Sequence, residues 1–127
     1  MASVIRLDTH VVVWLYAGRD DQLSGRAIEL IDQNVCVVSP MVELELTYLN
    51  EIGRLTASGA DILADLDGRI GLKRSDERFA AVVAAAASAH WTRDPFDRLI
   101  VGDASASGCQ LVTKDAHIRE NFSLATW

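Results

Sequence analysis

Short apolar runs alternate along this chain with longer segments in which apolar residues recur every three or four positions, the periods of strands and helices respectively. "SVIRL" predicts a first strand ending at Asp8, and "VVVWLYAG" a short apolar helix stopped by Gly18. Ser24 is placed to cap an amphipathic helix carrying Ala27, Ile28 and Ile31. "VCVVS" predicts a second strand over residues 35–39, after which Ser39 and Pro40 open a helix that runs to Gly53. A further helix is expected within residues 57–66, and "IGLKR" as a short strand. The run "AAVVAAAASAH", residues 80–90, reads as a tightly packed core helix, too short and too Ala-rich to span a bilayer. Asp94 and Pro95 then start a helix ending near Gly108, followed by a strand "CQLVT" and a possible edge strand "SLATW".

Strands alternating with helices define the fold class as α/β, a parallel sheet covered by helices on both faces. The 127 residues, half of them hydrophobic and free of linker-like tracts, suit one domain over 1–127. The N-terminus has no extended apolar stretch, so neither signal peptide nor anchor is expected and the protein is expected in the cytoplasm. Cys36 and Cys109 make no metal-binding spacing and read as reduced core thiols. A net charge of −6 argues against broad phosphate-backbone binding driven by counterion release. Acids gathered around divalent cations nevertheless bind polyanions through the metal, so the position of the acids matters more than their sum.

In parallel sheets ligands bind beyond the carboxyl ends of the strands, and Asp8 and Asp115 each follow one. Glu43 and Glu45 compete for a place on the helix that starts at that same edge. The helical neighbours of Glu45 are Met41, Val42, Tyr48 and Leu49, so Glu45 is expected to interrupt a buried stripe, where a lone acid is costly unless paired or bound to a cation. Glu43 is expected to be solvated near the positive end of the helix dipole. With Asp94 as N-cap, Asp97 is the third helical residue. It is either a capping-box partner or a fourth carboxylate at the strand-end edge.

"LDTH", "SPMVELEL", "DPFDRLIVGDA" and "LVTKD", in this order and spacing, resemble a PIN-domain ribonuclease of the VapC toxin type over effectively the whole chain. The resemblance implies a single PIN-like domain, metal-binding acids at Asp8, Glu45, Asp97 and Asp115, endoribonuclease activity, a VapB-type antitoxin, and commonly a homodimer. The chain departs from many relatives at Asp103, before the alanine of "DA", and in its second acid, Glu43.

Carboxylates without His or thiolate favour a hard cation, Mg2+ with Mn2+ as a substitute, and a water activated there would hydrolyse an RNA phosphodiester. Asp8, Asp97 and Asp115 are assigned mainly to the metal, and Glu45 to a ligand role or to orienting and deprotonating the water. Thr9 and Thr113 are placed either to hydrogen-bond these acids or phosphate, or to cap strand ends. His10, His90 and His117 form no ligand pair and read as surface or structural residues. Arg93, Arg98, Lys114 and Arg119 bracket the acidic motifs, as RNA-steering or merely solvated charge. Two alternatives stay open: a catalytically silent PIN-like module that binds RNA or antitoxin, and a phosphoacceptor receiver domain. The latter requires an aspartate after a middle strand, whereas the second strand here runs into "VSPMVE".

Overall fold

The computed structural model describes residues 2–127. The elements run β1 (Val4–Leu7), α1 (Thr9–Ala17), a single 3-10 turn (Asp20–Gln22), α2 (Gly25–Gln33), β2 (Val35–Val38), α3 (Pro40–Glu51), α4 (Gly59–Ile70), β3 (Lys73–Arg74), α5 (Phe79–Ala87), α6 (Pro95–Ser107), β4 (Leu111–Val112), α7 (Ala116–Asn121) and β5 (Ala125–Thr126). The sheet has the order β3-β2-β1-β4-β5, and every pairing is parallel. Consecutive residues Ile5, Arg6 and Leu7 of the central strand are all buried, so both sheet faces are covered, as expected for an all-parallel sheet. None of the described helices is long and apolar enough to cross a membrane.

Local chemistry sets most boundaries. The side chains of Ser24, Ser39, Ser58, Asp94 and Asp115 each accept a backbone N–H in the first turn of the helix they precede. At the other ends, Gly18, Gly71 and Gly108 adopt the left-handed conformation that closes α1, α4 and α6. The predicted strands are all present, though shorter, and the edge strand β5 pairs with β4.

Several expectations are corrected. The helix expected within residues 57–66 runs on to Ile70, because Gly71 rather than the apolar run ends it. In α2 it is Leu30, not Ile28, that joins Ala27 and Ile31 in the core; Ile28 is exposed. The Ala-rich helix α5 is not a core helix. It packs chiefly on α6 through Val82 and Ala86, while Phe79 and Val83 stand 69% and 43% exposed. A helix needs apolar residues all round only when elements surround it, and α5 has a neighbour on one side. That contact is close: a β-carbon on Gly102 of α6 would stand 2.7 Å from the Val82 carbonyl oxygen, so only glycine admits this approach. Helix α7 was not expected, since "HIRENF" has one buried residue, Ile118, and no apolar period.

Candidate active site

The chain leaves β1 toward β2 and β3 on one side of the sheet and later returns to β4 and β5 on the other. The carboxyl ends of β1 and β4 are therefore the point at which strand order reverses, where parallel sheets open a crevice. Asp8 follows β1 and Thr113 follows β4, and the register Leu7 to Val112 sets them side by side. The Thr113 hydroxyl donates to Asp8 Oδ2 at 2.6 Å, and the Thr9 backbone N–H donates to Asp8 Oδ1 at 2.8 Å. Thr9 Oγ1 in turn donates to Glu45 Oε1, and Thr113 Oγ1 accepts the Asp115 N–H at 3.1 Å. Two threonines thus link Glu45, Asp8 and Asp115 into one chain of hydrogen bonds. They contact the acids directly and are more than strand-end caps.

Glu45 reaches this chain from α3 for a reason other than the one its pattern suggested. The buried stripe of α3 is Val42 and Leu46, and Tyr48 is 47% exposed. Glu45 therefore lies half-buried at the edge of the stripe instead of interrupting it. Glu43 is not simply solvated: both its oxygens face the guanidinium of Arg74 on β3.

Asp94 caps α6, accepting N–H groups of Phe96 at 2.8 Å and Asp97 at 3.4 Å. Its own N–H goes to Thr92 Oγ1, which leaves no capping-box bond for Asp97 to make. The Asp97 carboxylate is half-buried instead, near enough to the other acids to feel their charge. Burial, then the charges of Asp94, Asp8, Asp115 and Glu45, push Asp97 up to about 7. Asp8 is raised by burial against the lowering effect of its Thr113 and Thr9 bonds, and Glu45 is raised by burial against its Thr9 bond. No Lys or Arg forms an ion pair with Asp8, Glu45, Asp97 or Asp115 among the described residues.

A model of the PIN domain family matches residues 5–121. Over 126 residues the chain is 31% identical to Ribonuclease VapC22 of Mycobacterium tuberculosis (strain ATCC 25618 / H37Rv), spanning 94% of this chain and 92% of that protein. The chain belongs to the PIN-domain family, in its VapC branch. In fold it resembles VapBC2 from Rickettsia felis, solved bound to a DNA fragment from their promoter, with a TM-score of 0.67, 17% identity, and coverage of 96% of this chain and 95% of that one. DNA-bound VapBC from Salmonella typhimurium gives a TM-score of 0.59 at 21% identity, covering 96% and 93% of the two chains. Family membership sets aside the phosphoacceptor reading.

The side chains of this PIN domain do not, as placed, make a ready cage. No group of three His, Cys, Asp or Glu side chains among the described residues is close enough to hold one ion. The donor set nonetheless fits a hard cation: every member is a carboxylate, neighbouring acids raise the proton affinity of Asp8, Glu45 and Asp97, and no Lys or Arg among the described residues is ion-paired with the four. The surrounding bases are largely committed elsewhere. Arg93 donates to the His90 carbonyl, Arg98 to the carbonyls of Ala86 and Ala87 at the end of α5, and Arg119 to that of Lys114. His117 packs edge-on against Trp91 at 5.1 Å, in keeping with a structural role, and His90 is exposed.

Sequence reasoning missed the pairing of Asp103. From α6 it accepts a 2.5 Å bond from Arg6 Nε of β1, and Arg6 also donates to Ser75 Oγ at 3.2 Å. Both partners are buried, Arg6 at 5% and Asp103 at 2% exposure. The available signal was an arginine inside an otherwise apolar strand, since a buried charge requires a partner.

Proposed function

We propose that this protein is a divalent-cation-dependent endoribonuclease, the toxin of a VapBC-type pair, in which residues 1–127 form one catalytic domain. The observation that carries the reading is the gathering of Asp8, Glu45, Asp97 and Asp115 at the β1/β4 crevice with no Lys or Arg ion-paired to them among the described residues. The 31% identity to a ribonuclease, over 94% of this chain and 92% of that protein, supports it. Mg2+, with Mn2+ as a substitute, would when bound neutralise charge on the scissile phosphate and acidify a water. Asp8, Asp97 and Asp115 would hold the cation. Asp8 is locked on both oxygens by Thr9 and Thr113, so its carboxylate needs little reorganisation. Glu45 is fixed through Oε1 by Thr9, and its raised proton affinity suits it to take a proton from the attacking water.

The partners proposed are an RNA substrate, a VapB-type antitoxin that covers the crevice with a cationic side chain aimed at the carboxylates, and a second copy of the chain. Leu44, Tyr48 and Ile52 of α3 and Phe79 and Val83 of α5 are exposed and apolar, and Leu44 and Phe79 line one groove, which supports the homodimer. The reducing cytoplasm suits both the free thiols of Cys36 and Cys109 and access to RNA.

The test is cleavage of cellular RNA by the purified protein. Cutting should require Mg2+ or Mn2+, stop with EDTA, and fall by orders of magnitude in Asp8→Asn and Asp115→Asn proteins that remain folded. A stoichiometric complex with the antitoxin should be silent. Cleavage that survives EDTA and both substitutions would contradict the reading.

A further inference from the structure

The rim of the carboxylate crevice carries an aromatic group that hydrolysis does not use. Helix α1 sets His10 and Trp14 four residues apart on one face, with ring centroids 5.9 Å apart. Trp127, just beyond β5, brings its ring to 6.1 Å from Trp14. On the Trp14 ring rests Lys114, its Nζ 5.7 Å from the centroid. Asp8, His10, Trp14, Lys114 and Asp115 line one open pocket of about 260 Å3, so the Trp14 ring shares a surface with two of the carboxylates, Asp8 and Asp115. Unlike Arg93, Arg98 and Arg119, which hydrogen-bond backbone carbonyls, exposed Lys114 has the indole as its contact.

A cation resting on an indole marks its electron-rich face, and half-buried Trp14 turns toward the open pocket that it lines. An anion beside it offers the ammonium a better partner and vacates the ring for a flat group. We propose that Trp14, flanked by His10 and Trp127, is the stacking platform for a nucleobase of single-stranded RNA next to the scissile phosphate, and that Lys114 moves from the indole to a backbone phosphate as the base seats. This rests on the ribonuclease reading and adds to it which residues grip the substrate. The ammonium on the indole brings positive charge to the pocket, which suits the phosphodiester backbone of a nucleic acid strand, and the ring face suits its base. Base stacking on an aromatic ring tolerates any base, so Trp14 supplies affinity for single strands, not sequence choice.

The test compares the parent with Trp14→Leu, Trp14→Phe and Lys114→Ala, each checked by thermal melt. Binding is read by fluorescence anisotropy in Mg2+, at low temperature before cleavage proceeds. The probes are a random-sequence single-stranded RNA of about 12 nucleotides, within the usual footprint of a single-strand groove, and an abasic ribose-phosphate oligomer of equal length. Trp14→Leu should weaken RNA binding at least about fivefold, the low end of one stacked base, and leave the abasic oligomer unaffected. Trp14→Phe should recover most of the loss. Lys114→Ala should weaken both oligomers alike and reduce the salt slope by about one. Equal losses for both oligomers in Trp14→Leu, or none, while the parent still cuts RNA would overturn the subsite and leave the ribonuclease reading standing. A parent that neither binds nor cuts RNA overturns both. If Trp14→Leu leaves RNA binding intact but releases the antitoxin, the face belongs to a protein partner and the proposal fails. Should Trp14→Leu lose its fold, Lys114→Ala decides: unchanged affinities and an unchanged salt slope overturn the proposal.

Discussion

Asp8 and Asp103 are both almost wholly buried, at 6% and 2% exposure, yet their surroundings differ in one respect. Asp103 faces the guanidinium of Arg6, which is itself completed by Ser75 and lies 3.9 Å from Glu77. Asp8 is held by a hydroxyl and an amide, with no guanidinium or ammonium bonded to it and with His10, Asp115 and Asp97 nearby. A buried carboxylate with its cation built in ties β1 to α6 and has nothing left to bind. One that is oriented by neutral donors and crowded by other acids keeps its charge for something from outside. The two regions meet at strand β1: Arg6 lies within it and Asp8 directly follows its last residue.

The largest effect should come from unpairing the first region. Asp103→Ala leaves Arg6 buried without its carboxylate and should destabilise the fold by about 3–5 kcal/mol in urea unfolding, whereas the double change Arg6→Met with Asp103→Leu should recover most of that loss. Asp8→Asn, measured without metal, should shift stability by no more than about 1 kcal/mol in either direction, since its neighbours can re-form hydrogen bonds to an amide. If Asp8→Asn cost as much as Asp103→Ala, both acids would be structural and the contrast would collapse.

Next in size is a pH effect. The folded-state pKa of Asp97, about 7, lies above its ordinary value of 3.8, so between these values the native state holds a proton that the unfolded chain releases. Metal-free stability should therefore fall as pH rises from 4 to 7 through this group, and the penalty should be fully present above 7. Asp97→Asn removes it: the variant should melt several degrees above the parent at pH 8 in EDTA and alongside it near pH 4. A variant that melts below the parent at pH 8 would make Asp97 a structural acid.

Asp94→Ala should cost about 0.5–2 kcal/mol with or without metal, because two N–H groups of α6 lose their acceptor. Smallest of all, Glu43→Gln breaks a surface ion pair with Arg74 and should change stability by less than about 1 kcal/mol while RNA cleavage continues. A dead Glu43→Gln protein with an active Glu45→Gln protein would exchange the roles of the two glutamates.

The contrast also shows what a sequence discloses. Capping residues, glycine stops and apolar periods are local, so β1, α3, α6 and the edge occupied by Asp8, Asp97 and Asp115 were legible in the order of residues. The sequence pattern favours Glu45 over Glu43 on a buried stripe that is narrower in the fold, where the Thr9 bond is what sets Glu45 apart. The Thr113–Asp8 and Arg6–Asp103 bonds join residues 105 and 97 positions apart, and no local pattern announces such pairs. Helix α5 misled for a different reason: composition records how apolar a helix is, not how many neighbours surround it.

The most direct test of the central claim, that the crevice acids are completed by a cation from outside while Asp103 is completed from within, is Mn2+ binding followed by electron paramagnetic resonance. The parent and Glu43→Gln proteins should take up Mn2+ with similar affinity, competed by Mg2+, and Asp97→Asn should bind at least about tenfold more weakly, since an amide replaces an anionic ligand. Equal Mn2+ binding by the parent and Asp97→Asn, or none by the parent, would contradict the account.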